Sequence, residues 1–437
     1  MSGVISRHVY ETLSRLPSCR NYWLAYSGGR DSHVLLHVLA AIRQELWPAQ
    51  IKVVHIDHGL HPDAGQWAAH CQSVCDALDL PLLIRQVNAR PAAGESPEAA
   101  ARKARYAELA ELIGAGDILL AAHHQDDQAE TLMLQLLRGA GPHGLAAMPE
   151  LKKFSSGYLA RPLLGFARTD LDEYAGCQGL QWIDDPSNED HGFKRNYLRH
   201  EVMPLLQKQW PSFQKTLSRT AALCADAAAM LDQLAAEDLL ALEFDEVLSV
   251  TGLLALDPVR QRNVLRNWCA SKGLPLPGRA HIRQIQQQML SADANMPLVS
   301  WPGVELRRYQ DCLYIMVPLV PLDPLLELVW DMGQALVLPH GRLSVASGRE
   351  GDLAFDSGRQ QAVVRLRRGG ERILTYSGQH RSVKKILQEQ RIAPWLRGRI
   401  PLLYIDGELA AIAGVMICDH FVARTGQVSI RLNWQPN

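Results

Sequence analysis

The chain has 437 residues, of which 47% are hydrophobic and 21% are charged, and its formal net charge is −1. This length predicts roughly two to four domains, and the composition supplies enough apolar residues for folded cores, which excludes a chain that is disordered throughout. No apolar segment reaches the ~20 residues that cross a bilayer. The first residues also lack the apolar core of a signal peptide, so we expect a cytoplasmic protein that does not associate with membranes.

Eight cysteines are spread along the chain, and none of them forms a C-x-x-C pair. A disulfide scaffold, a zinc ribbon and an iron–sulfur site each need paired or closely spaced cysteines. Cys71 and Cys75 are four residues apart in a predicted helix, which favours a buried helix face over a metal site.

The near-zero net charge conceals two basic segments. Residues 361–400 contain ten Lys and Arg but only two acidic residues, and residues 191–220 contain six Lys and Arg but only one acidic residue. Charge clustered in this way predicts local anion-binding surfaces. The C-terminal segment also carries Tyr376 and Trp395 among its arginines, a combination suited to the backbone and bases of RNA. A solvated charged face is the alternative.

Strands and helices alternate through the first 150 residues, joined by short links. The pattern predicts strands at 22–26, 51–56, 80–87 and 117–122, and helices at 31–43, 63–78, 97–114 and 126–137. Four such alternations predict an α/β fold, with a parallel, doubly wound, Rossmann-like sheet that carries helices on both faces. Ligands bind at the carboxyl ends of the strands in such sheets, and polar clusters follow three of the predicted strands.

The rest of the chain predicts two further domains. Residues 151–219 extend the first domain, so that it covers 1–220. Residues 225–315 show helical spacing and predict a small helical middle domain. Residues 325–437 predict a small, basic α+β domain, with strands at 336–345, 362–366, 401–405 and 427–432 and a helix at 381–390.

The first polar cluster consists of Ser27, Gly28, Gly29, Arg30, Asp31 and Ser32. Its glycines permit a tight turn and a close approach of a ligand to the backbone, and the N–H groups of the following helix favour a phosphate there. The hydroxyls add donors, whereas the Asp31 carboxylate suits Mg²⁺ or a water molecule better than a phosphate. No Walker A lysine follows. A plain strand-to-helix turn with an N-cap is the alternative.

The second cluster, HIDHGLHP at 55–62, combines three histidines with an aspartate. Such a set forms a metal site only if the side chains converge, which spacing alone does not establish. Contact with a nucleotide and hydrogen bonds that order the loop are the favoured interpretations.

The third cluster, HHQDDQAET at 123–131, begins a predicted helix. Asp127, Glu130 and Thr131 share one helix face because they are three and four residues apart. Two carboxylates near the start of a helix, at the end of a strand, suit Mg²⁺ or an ammonium group as the ligand. Helix capping alone is the alternative, since acidic residues also stabilise helix starts.

The first cluster resembles the pyrophosphate-loop motif SGGxDS of the N-type ATP pyrophosphatases, which cleave ATP between the α- and β-phosphates. Further motifs narrow the resemblance to the bacterial tRNA(Ile)-lysidine synthetase family over nearly the whole chain. They are the second and third clusters, EAAARKARY at 98–106, ARPLL at 160–164, DDPSNEDHGFKRNYLRHEVMP at 184–204 and the basic run at 365–403.

This resemblance implies a specific reaction. Members of the family act on cytidine 34 in the CAU anticodon of tRNA(Ile), where ATP adenylates the C2 oxygen and pyrophosphate leaves. The ε-amine of free L-lysine then attacks C2, and AMP leaves. The lysidine product pairs with A instead of G, which switches codon recognition from AUG to AUA. ATP, Mg²⁺, free lysine and tRNA(Ile) are therefore the expected cofactors and substrates.

Individual residues receive predicted roles on this basis. The loop at 27–32 is expected to bind ATP, with Asp31 as the Mg²⁺ ligand. Asp127 and Glu130 are expected to bind the cationic groups of lysine, and together with Asp31 they form the predicted catalytic set. Asp127 is also the candidate base for the ε-amine, whose reference pKa of about 10.4 keeps it protonated. The predicted tRNA contacts are Arg195, Arg199, Arg367, Arg368, Arg372, Lys384 and Lys385.

Arg102 and Arg105 are further candidates for binding a phosphate or a carboxylate, with ordinary surface arginines as the alternative. The main alternative for the whole chain is another adenylating tRNA-modifying enzyme, of the 2-thiolation type. Sulfur transfer uses catalytic cysteines, often in a C-x-x-C pair, which this sequence lacks. An amidotransferase-type synthetase is disfavoured because position 2 is not a cysteine. A homodimer is the only protein partnership that the sequence leaves open.

Overall fold

The structure, a computed structural model, describes residues 2–59, 63–88, 90, 97–186, 192–291, 296–354 and 362–436. Contacts divide the chain into two compact units, Met1–Leu231 and Asp232–Asn437. Residues 60–62 of the second polar cluster, which include His61, lie outside the described residues, as do residues 187–191 of the segment at 184–204. None of the helices in the described ranges is both long and apolar enough to cross a membrane.

The first unit builds one sheet and its flanking helices. Its strands are β1 (Asn21–Ala25), β2 (Gln50–Asp57), β3 (Leu82–Gln86), β4 (Asp117–Leu120), β5 (Leu151–Phe154) and β6 (Gly157–Ala160). Its helices are α1 (Ser2–Ser14), α2 (Arg30–Ala41), α3 (Ala64–Ala77), α4 (Pro97–Leu112), α5 (Gln125–Leu137), α6 (Pro142–Leu145), α7 (Arg168–Cys177), α8 (Lys194–Tyr197), α9 (Met203–Gln209) and α10 (Phe213–Leu242). A π-helical turn at Leu198–Val202 links α8 to α9, and the division between the two units falls inside α10.

The sheet of the first unit has the strand order β3-β2-β1-β4-β6-β5. Strands β1 to β4 and β6 run parallel, and β5 pairs antiparallel with β6 at one edge. The predicted parallel α/β sheet is therefore confirmed. The structure adds β5 and β6, which the sequence analysis left inside an extension of the first domain. Each has only four residues, too few for a clear alternation of apolar and polar side chains.

Helices cover both faces of this sheet because its central strands are apolar on both sides. Leu24 of β1 and Ile118 of β4 pack with Leu35 of α2 in one buried cluster. Leu119 of β4 packs with Leu109 of α4 in another. Successive residues of β4 thus point to opposite faces of the sheet, and the whole strand is buried. The polar residues that follow β1, β2 and β4 are left at the carboxyl edge.

The second unit contains two regions. The elements of the middle region are β7 (Glu243–Phe244), β8 (Val247–Ser249), α11 (Val250–Leu254), α12 (Pro258–Ser271), α13 (Arg279–Gln284), a π-helical turn (Ile285–Met289), β9 (Leu298–Trp301), β10 (Val304–Tyr309) and β11 (Cys312–Met316). The expected helices are present. The sequence analysis did not predict the antiparallel sheet β7-β8-β11-β10-β9, whose Val304 and Leu306 pack with Trp268 of α12 in one core.

The C-terminal region consists of short strands and two helices. They are β12 (Glu327–Trp330), β13 (Leu336–Leu338), β14 (Gly341–Ser347), β15 (Leu353–Ala354), β16 (Ala362–Arg365), β17 (Arg372–Leu374), β18 (His380–Ser382), α14 (Val383–Glu389), α15 (Pro394–Arg397), β19 (Leu402–Ile405), β20 (Glu408–Ile412), β21 (Met416–Ile417) and β22 (Ser429–Pro436). They form the sheets β12-β16-β19-β20-β21 and β13-β14-β22-β15 and the hairpin β17-β18.

The predicted α+β character of the C-terminal region is confirmed, with two local differences. The strand predicted at 336–345 is a hairpin, because Leu338 pairs with Gly341 across a two-residue turn. The helix predicted at 381–390 begins at Val383, since His380–Ser382 pairs with Arg372–Leu374 as a strand. In both places the local structure depends on pairing with a neighbouring strand, which the spacing of residues along the sequence does not show.

Candidate active site

The first polar cluster forms the loop between β1 and α2. Gly28 has a φ of +83°, and a Cβ at this position would lie 2.8 Å from Ile183 Cδ1 and 3.0 Å from Cys71 Sγ. Only glycine combines this backbone conformation with such close neighbours. The Ile183 N–H also donates a hydrogen bond to the Gly28 carbonyl oxygen (3.0 Å). The segment that follows α7 therefore closes the back of the loop, a contact that the sequence did not indicate.

The two serines fix the shape of the loop. The hydroxyl oxygens of Ser27 and Ser32 are 3.0 Å apart, and the Ser32 hydroxyl donates to the Gly29 carbonyl oxygen (2.8 Å). The Gly29 N–H donates to Ser27 Oγ (3.3 Å). Helix α2 begins at Arg30 with Gly29 as its extended N-cap, so the first N–H groups of a twelve-residue helix border the loop. This is the geometry of an anion-binding cradle.

His124, after the end of β4, lies among three carboxylates. Its Nε2 is 3.5 Å from Asp31 Oδ2 and 3.4 Å from Asp127 Oδ2, and its Nδ1 is 3.6 Å from Asp126 Oδ2. Burial alone would lower the pKa of His124, but the charge of Asp127, together with Asp126 and Asp31, raises this pKa to about 10. His124 is therefore an imidazolium at neutral pH. The sequence analysis missed this role because Asp31 becomes its neighbour only in the fold.

Asp31 connects the loop to this histidine. Its Oδ1 accepts hydrogen bonds from Nε (3.0 Å) and Nη2 (2.8 Å) of Arg30, and Arg30 also forms an ion pair with Asp172 of α7. Burial opposes ionisation, but His124 and Arg30 hold the pKa of Asp31 well below its usual range. Asp31 is thus ionised at neutral pH, and among the described residues its Oδ2 has only the long contact with His124.

Asp127 and Glu130 share one face of α5, as their spacing predicts, and this face meets Arg195 and Arg199. Arg195 donates to Glu130 Oε2 (2.6 Å) and to Asp127 Oδ1 (2.9 Å). Arg199 donates to Glu130 Oε1 (2.7 Å) and to Asp127 Oδ1 (3.2 Å). The Glu130 side chain is 2% exposed, so its charge depends on these partners. We call these four residues the arginine–carboxylate cluster.

This cluster brings the two predicted lysine ligands together with two predicted tRNA-binding arginines. A cation that binds Asp127 or Glu130 must compete with guanidinium groups already in place, and an RNA phosphate must compete with carboxylates for Arg195 and Arg199. Although burial opposes it, the charges of His124 and Arg195 lower the pKa of Asp127, which makes this carboxylate a weak proton acceptor. The role of Asp127 as a base stays a prediction, and its lowered pKa disfavours that role.

Arg102, Arg105 and Arg161 form a second cationic group near the cluster. Among the side chains that the structure describes, no carboxylate lies within ion-pair distance of any of the three. Arg102 and Arg105 lie over the ring of Tyr106, 5.0 and 5.6 Å from its centroid, and buried Arg161 donates to Nδ1 of His123 (3.3 Å). Burial lowers the pKa of both Arg105 and Arg161. Arg161 is buried, Arg105 is half-buried and Arg102 is exposed. Cations without counter-charge favour an anionic ligand, most strongly where they are buried.

The second polar cluster points inward where the structure describes it. His55 is buried and its Nδ1 donates to the Tyr26 carbonyl oxygen (3.0 Å). Asp57 accepts a hydrogen bond from the Gly59 N–H (2.8 Å) and another from Gln86 (3.4 Å). These two side chains stabilise the ends of β1 and β2 through their hydrogen bonds.

A cavity of about 420 Å³ opens beside His124 and the arginine–carboxylate cluster. It lies at the carboxyl edge of the sheet, where parallel α/β folds bind their ligands. Acidic and basic groups both reach it. Its lining includes His124, Asp126, Glu130, Arg168, Asp172, Arg199, Gln207, Gln214 and Lys215. The cavity is therefore suited to a small zwitterionic or charged molecule.

The predicted tRNA-binding residues of the C-terminal region fall into two groups. Arg367 lies 3.7 Å from Glu371 and Arg368 lies 3.3 Å from Glu327, so both have a carboxylate partner. Arg372, Lys384 and Lys385 are exposed, and no carboxylate in the described part of the chain pairs with them. Only the second group has charge that is free for a polyanion.

The two aromatic residues of this basic segment differ as well. Tyr376 lies in the turn between β17 and β18 and is 65% exposed. Trp395 packs against Tyr314, with ring centroids 5.3 Å apart, and beneath the Arg307 guanidinium at 5.3 Å. Trp395 therefore stabilises contact between the middle and C-terminal regions, and Tyr376 is the ring that remains open to a nucleobase.

A strand, a glycine loop and a helix form an anion cradle in several parallel α/β folds, and the sequence SGGRDS in this loop is the pattern of the PP-loop class of ATP-using enzymes. Residues 3–206 match the family model of the PP-loop domain. Residues 248–314 match the TilS substrate binding domain, and residues 362–434 match the TilS substrate C-terminal domain.

Relatives similar over the full length narrow this class to one family. The chain is 40% identical to the tRNA(Ile)-lysidine synthase of Coxiella burnetii, covering 97% of this chain and 95% of that protein. It is 39% identical to the enzyme of that name from Serratia proteamaculans (96% and 97% covered) and 37% identical to the one from Escherichia coli O157:H7 (98% and 99% covered). The chain belongs to the tRNA(Ile)-lysidine synthase family.

Proposed function

We propose that this protein joins free L-lysine to C2 of cytidine 34 in the CAU anticodon of tRNA(Ile), using ATP through an adenylated cytidine. The product, lysidine, switches codon recognition from AUG to AUA. The proposal rests on the arrangement at the carboxyl edge of the first sheet. There His124 connects the anion-binding loop, through Asp31, to the arginine–carboxylate cluster, and His124, Glu130 and Arg199 line a cavity. Similarity along the whole chain to proteins named tRNA(Ile)-lysidine synthase supports it.

In the first step the C2 oxygen of cytidine attacks the α-phosphorus of ATP. The bond between that phosphorus and the bridging oxygen to the β-phosphate breaks, and pyrophosphate leaves. The loop at 27–32 holds the departing phosphates through N–H and hydroxyl donors. We assign stabilisation of further negative charge to Arg102 and Arg105, because they have no counter-charge among the described side chains.

Asp31 fits the predicted role of Mg²⁺ ligand. It is ionised, it borders the loop, and within the described part of the chain its Oδ2 has only the 3.5 Å contact with His124. Magnesium is commonly held by one or two carboxylates together with phosphate oxygens. When bound, the ion neutralises charge on the triphosphate. The chain's own contribution is to keep Asp31 ionised and oriented through Arg30 and His124.

In the second step the deprotonated ε-amine of lysine attacks C2, the bond between C2 and the adenylate oxygen breaks, and AMP leaves. We assign recognition of the lysine cation to Asp127 and Glu130, and entry of lysine must then open their ion pairs with Arg195 and Arg199. The released guanidinium groups suit the lysine carboxylate or an RNA phosphate. On lysine binding, the two carboxylates of the cluster would therefore exchange their arginine partners for the lysine cation.

We assign the remaining tRNA contacts to the basic C-terminal region. Arg372, Lys384 and Lys385 have free charge for phosphates, Arg367 and Arg368 contribute less because they have acidic partners, and exposed Tyr376 offers a stacking surface. This completes a division into a catalytic domain at 1–220, a middle domain at 225–315 and a tRNA-binding domain at 325–437.

A test uses purified protein, ATP, labelled lysine and transcripts of tRNA(Ile) with C or U at position 34. We expect one lysine per C34 transcript, pyrophosphate release that depends on that transcript, and AMP–tRNA accumulation when lysine is omitted. The U34 transcript is the control and stays unmodified. Transfer of sulfur from a donor, with no lysine incorporated, would support the 2-thiolation alternative and overturn the proposal.

A further inference from the structure

Three side chains of different chemistry lie close together at one end of the sheet β12-β16-β19-β20-β21. Glu408 begins β20, Cys418 follows β21, and His420 lies in the 3₁₀ turn Asp419–Phe421. One carboxylate oxygen, the thiol sulfur and one imidazole nitrogen all lie within 4.8 Å of one another. In the described ranges of the chain this is the one place where three potential metal ligands of the types His, Cys, Asp or Glu come so close together.

Strand pairing fixes the relative positions of these residues. Strands β20 and β21 pair antiparallel, and the ladder continues because the Cys418 N–H donates to the Ala410 carbonyl oxygen (2.8 Å). Glu408 and Ala410 are two residues apart on one strand and so share a face, which makes Glu408 a diagonal neighbour of Cys418. The Phe421 N–H donates to the Cys418 carbonyl oxygen (2.8 Å) and closes the turn that carries His420.

The three groups differ in exposure in a way that suits an ion at the surface. Cys418 is 1% exposed, whereas the side chains of His420 and Glu408 are 61% and 51% exposed. His420 Nδ1 lies 3.2 Å from Glu408 Oε1. No Lys or Arg in the described part of the chain forms an ion pair with Glu408. A cation arriving from solvent would therefore meet a carboxylate and an imidazole first and the thiol behind them.

We propose that Glu408, Cys418 and His420 bind a zinc-type divalent ion, with water completing the coordination. Sulfur, nitrogen and oxygen ligands around tetrahedral zinc stand about 3.3–3.8 Å apart, given metal–ligand bonds of about 2.0–2.3 Å. The 3.2 Å separation of His420 Nδ1 and Glu408 Oε1 is within about 0.1 Å of this spacing. The 4.8 Å limit means that the other two separations need to shorten by at most about 1.5 Å. A thiolate ligand selects zinc over Mg²⁺, which prefers oxygen ligands.

Zinc binding should release a proton from Cys418 and stabilise the fold around the site. The zinc–sulfur bond forms as the Cys418 thiol loses its proton to solvent, so affinity rises with pH. The ion joins β20, the residue after β21 and the following turn, and it binds only the folded arrangement. Zinc should therefore raise the stability of the C-terminal region by mass action. This inference is independent of lysine transfer.

The test titrates zinc into the full-length protein after treatment with a chelator. His420→Gln and Cys418→Ser remove one ligand each, and Cys312→Ser, which removes a thiol of the same unit, is the matched control. We expect wild type and control to bind one more zinc per chain than either ligand variant, or to bind it at least about 10- to 100-fold more tightly. Zinc should raise the Tm of wild type and of the control but not the Tm of the two ligand variants. Excess Mg²⁺ should not compete with zinc for the site.

Cobalt(II) gives a second readout, because a thiolate-to-cobalt absorption band reports directly on the sulfur ligand. The band should appear in wild type and Cys312→Ser and be absent from Cys418→Ser. Equal zinc stoichiometry and affinity in wild type and His420→Gln would overturn the site. His420 is exposed, so its substitution leaves the fold intact and decides the question even if Cys418→Ser fails to fold.

Discussion

The two basic segments of the sequence place their charge in different environments in the fold. The first unit contributes Arg195 and Arg199, and the second contributes Lys384 and Lys385. The arginines are 23% exposed and form ion pairs with Asp127 and Glu130. The lysines lie exposed on α14, without a carboxylate partner among the described residues. Segment charge alone therefore did not reveal which basic residues are free to attract a polyanion.

The difference follows from the medium that surrounds each charge. Removing a charged group from water carries a large desolvation cost, which a buried ion pair offsets only with well-placed partners. Exposed charges meet a high dielectric and mobile counter-ions, so their individual contributions are small and depend on salt. Substitutions in the first unit should thus cause large effects that depend little on salt, and substitutions in the C-terminal region should cause small effects that depend strongly on salt.

The largest expected effect comes from Asp31→Ala. This change removes an ionised carboxylate beside the phosphate cradle and should lower the rate of AMP–tRNA formation by about 10²–10³-fold, the range for losing one preorganised electrostatic group. The fold should persist, because Asp31 lies in the first turn of α2 rather than in the apolar core. Single-turnover assays of the intermediate, with circular dichroism as the folding check, measure both quantities.

Asp172→Ala is the matched control for this experiment, since Asp172 pairs with the same Arg30 but lies on α7. It should retain adenylation within several-fold of wild type. Normal intermediate formation in Asp31→Ala would remove Asp31 from the Mg²⁺ site.

Glu130→Gln should be the next largest change, and it acts on stability as well as on lysine use. Loss of this buried charge leaves Asp127 as the remaining carboxylate that pairs with both Arg195 and Arg199 among the described residues. Breaking a buried pair typically costs about 3–5 kcal/mol of unfolding free energy. The KM for lysine should rise more than the KM for ATP if the carboxylate binds the amino acid. Chemical denaturation and steady-state kinetics give the two readouts.

Glu327→Gln provides the contrast between the two regions. Glu327 pairs with Arg365 and Arg368 on the surface, so its neutralisation should leave the unfolding free energy within error of wild type. If Glu130→Gln proves as silent as Glu327→Gln in denaturation, the cluster is not energetically buried. An unchanged lysine KM in both Glu130→Gln and Asp127→Asn would reduce these carboxylates to helix caps and arginine anchors.

Two histidines of the first unit should make its stability depend on pH in opposite directions, one causing a loss at acid pH and the other a loss at alkaline pH. Burial, with His70 and His37 nearby, lowers the pKa of His33 to about 4, so His33 contributes a loss of stability as pH falls from about 6.5 towards 4. His124 has its pKa raised to about 10 despite burial, so its stabilising charge is fully present below about pH 6.5 and is lost as pH rises towards 10. Each of these two losses has a slope of at most about 1.4 kcal/mol per pH unit.

Unfolding free energies measured across this pH range test both assignments by their slopes. His33→Gln should flatten the fall in stability at acid pH and leave the alkaline dependence unchanged, whereas His124→Gln should flatten the fall at alkaline pH. A wild-type alkaline slope in His124→Gln would show that this imidazole is neutral in the folded protein.

Hydrophobic spacing predicted the central sheet, because β1, β2 and β4 are apolar runs followed by polar clusters. It did not predict β5 and β6 or the sheet of the middle region, whose short strands gain their stability from partners distant in sequence. At the site, the helix face shared by Asp127 and Glu130 followed from spacing. Their partners Arg195 and Arg199 did not, since 65 and 69 residues separate Glu130 from these arginines and an ion pair leaves no periodic trace.

The smallest effects per residue are expected in the basic C-terminal region, where salt dependence is the informative quantity. Each phosphate neutralised on RNA contributes about 0.7–0.9 to the slope of log affinity against log salt. Replacing Arg367, Arg368, Arg372, Lys384 and Lys385 together by Ala should flatten the slope for tRNA by about 2–4 units and leave ATP binding unchanged. The structure sharpens this expectation, because Arg367 and Arg368 already pair with Glu371 and Glu327.

Two partial variants separate these contributions. The triple variant of Arg372, Lys384 and Lys385 should account for most of the flattening, at about 2–3 units. The double variant of Arg367 and Arg368 should change the slope by less than about one unit, because each guanidinium would exchange an acidic partner for a phosphate. Affinities measured from low to high salt give the slopes directly. Equal effects of the two variants would mean that tRNA breaks the surface ion pairs when it binds, and a wild-type slope in the triple variant would place the tRNA on another surface of the protein.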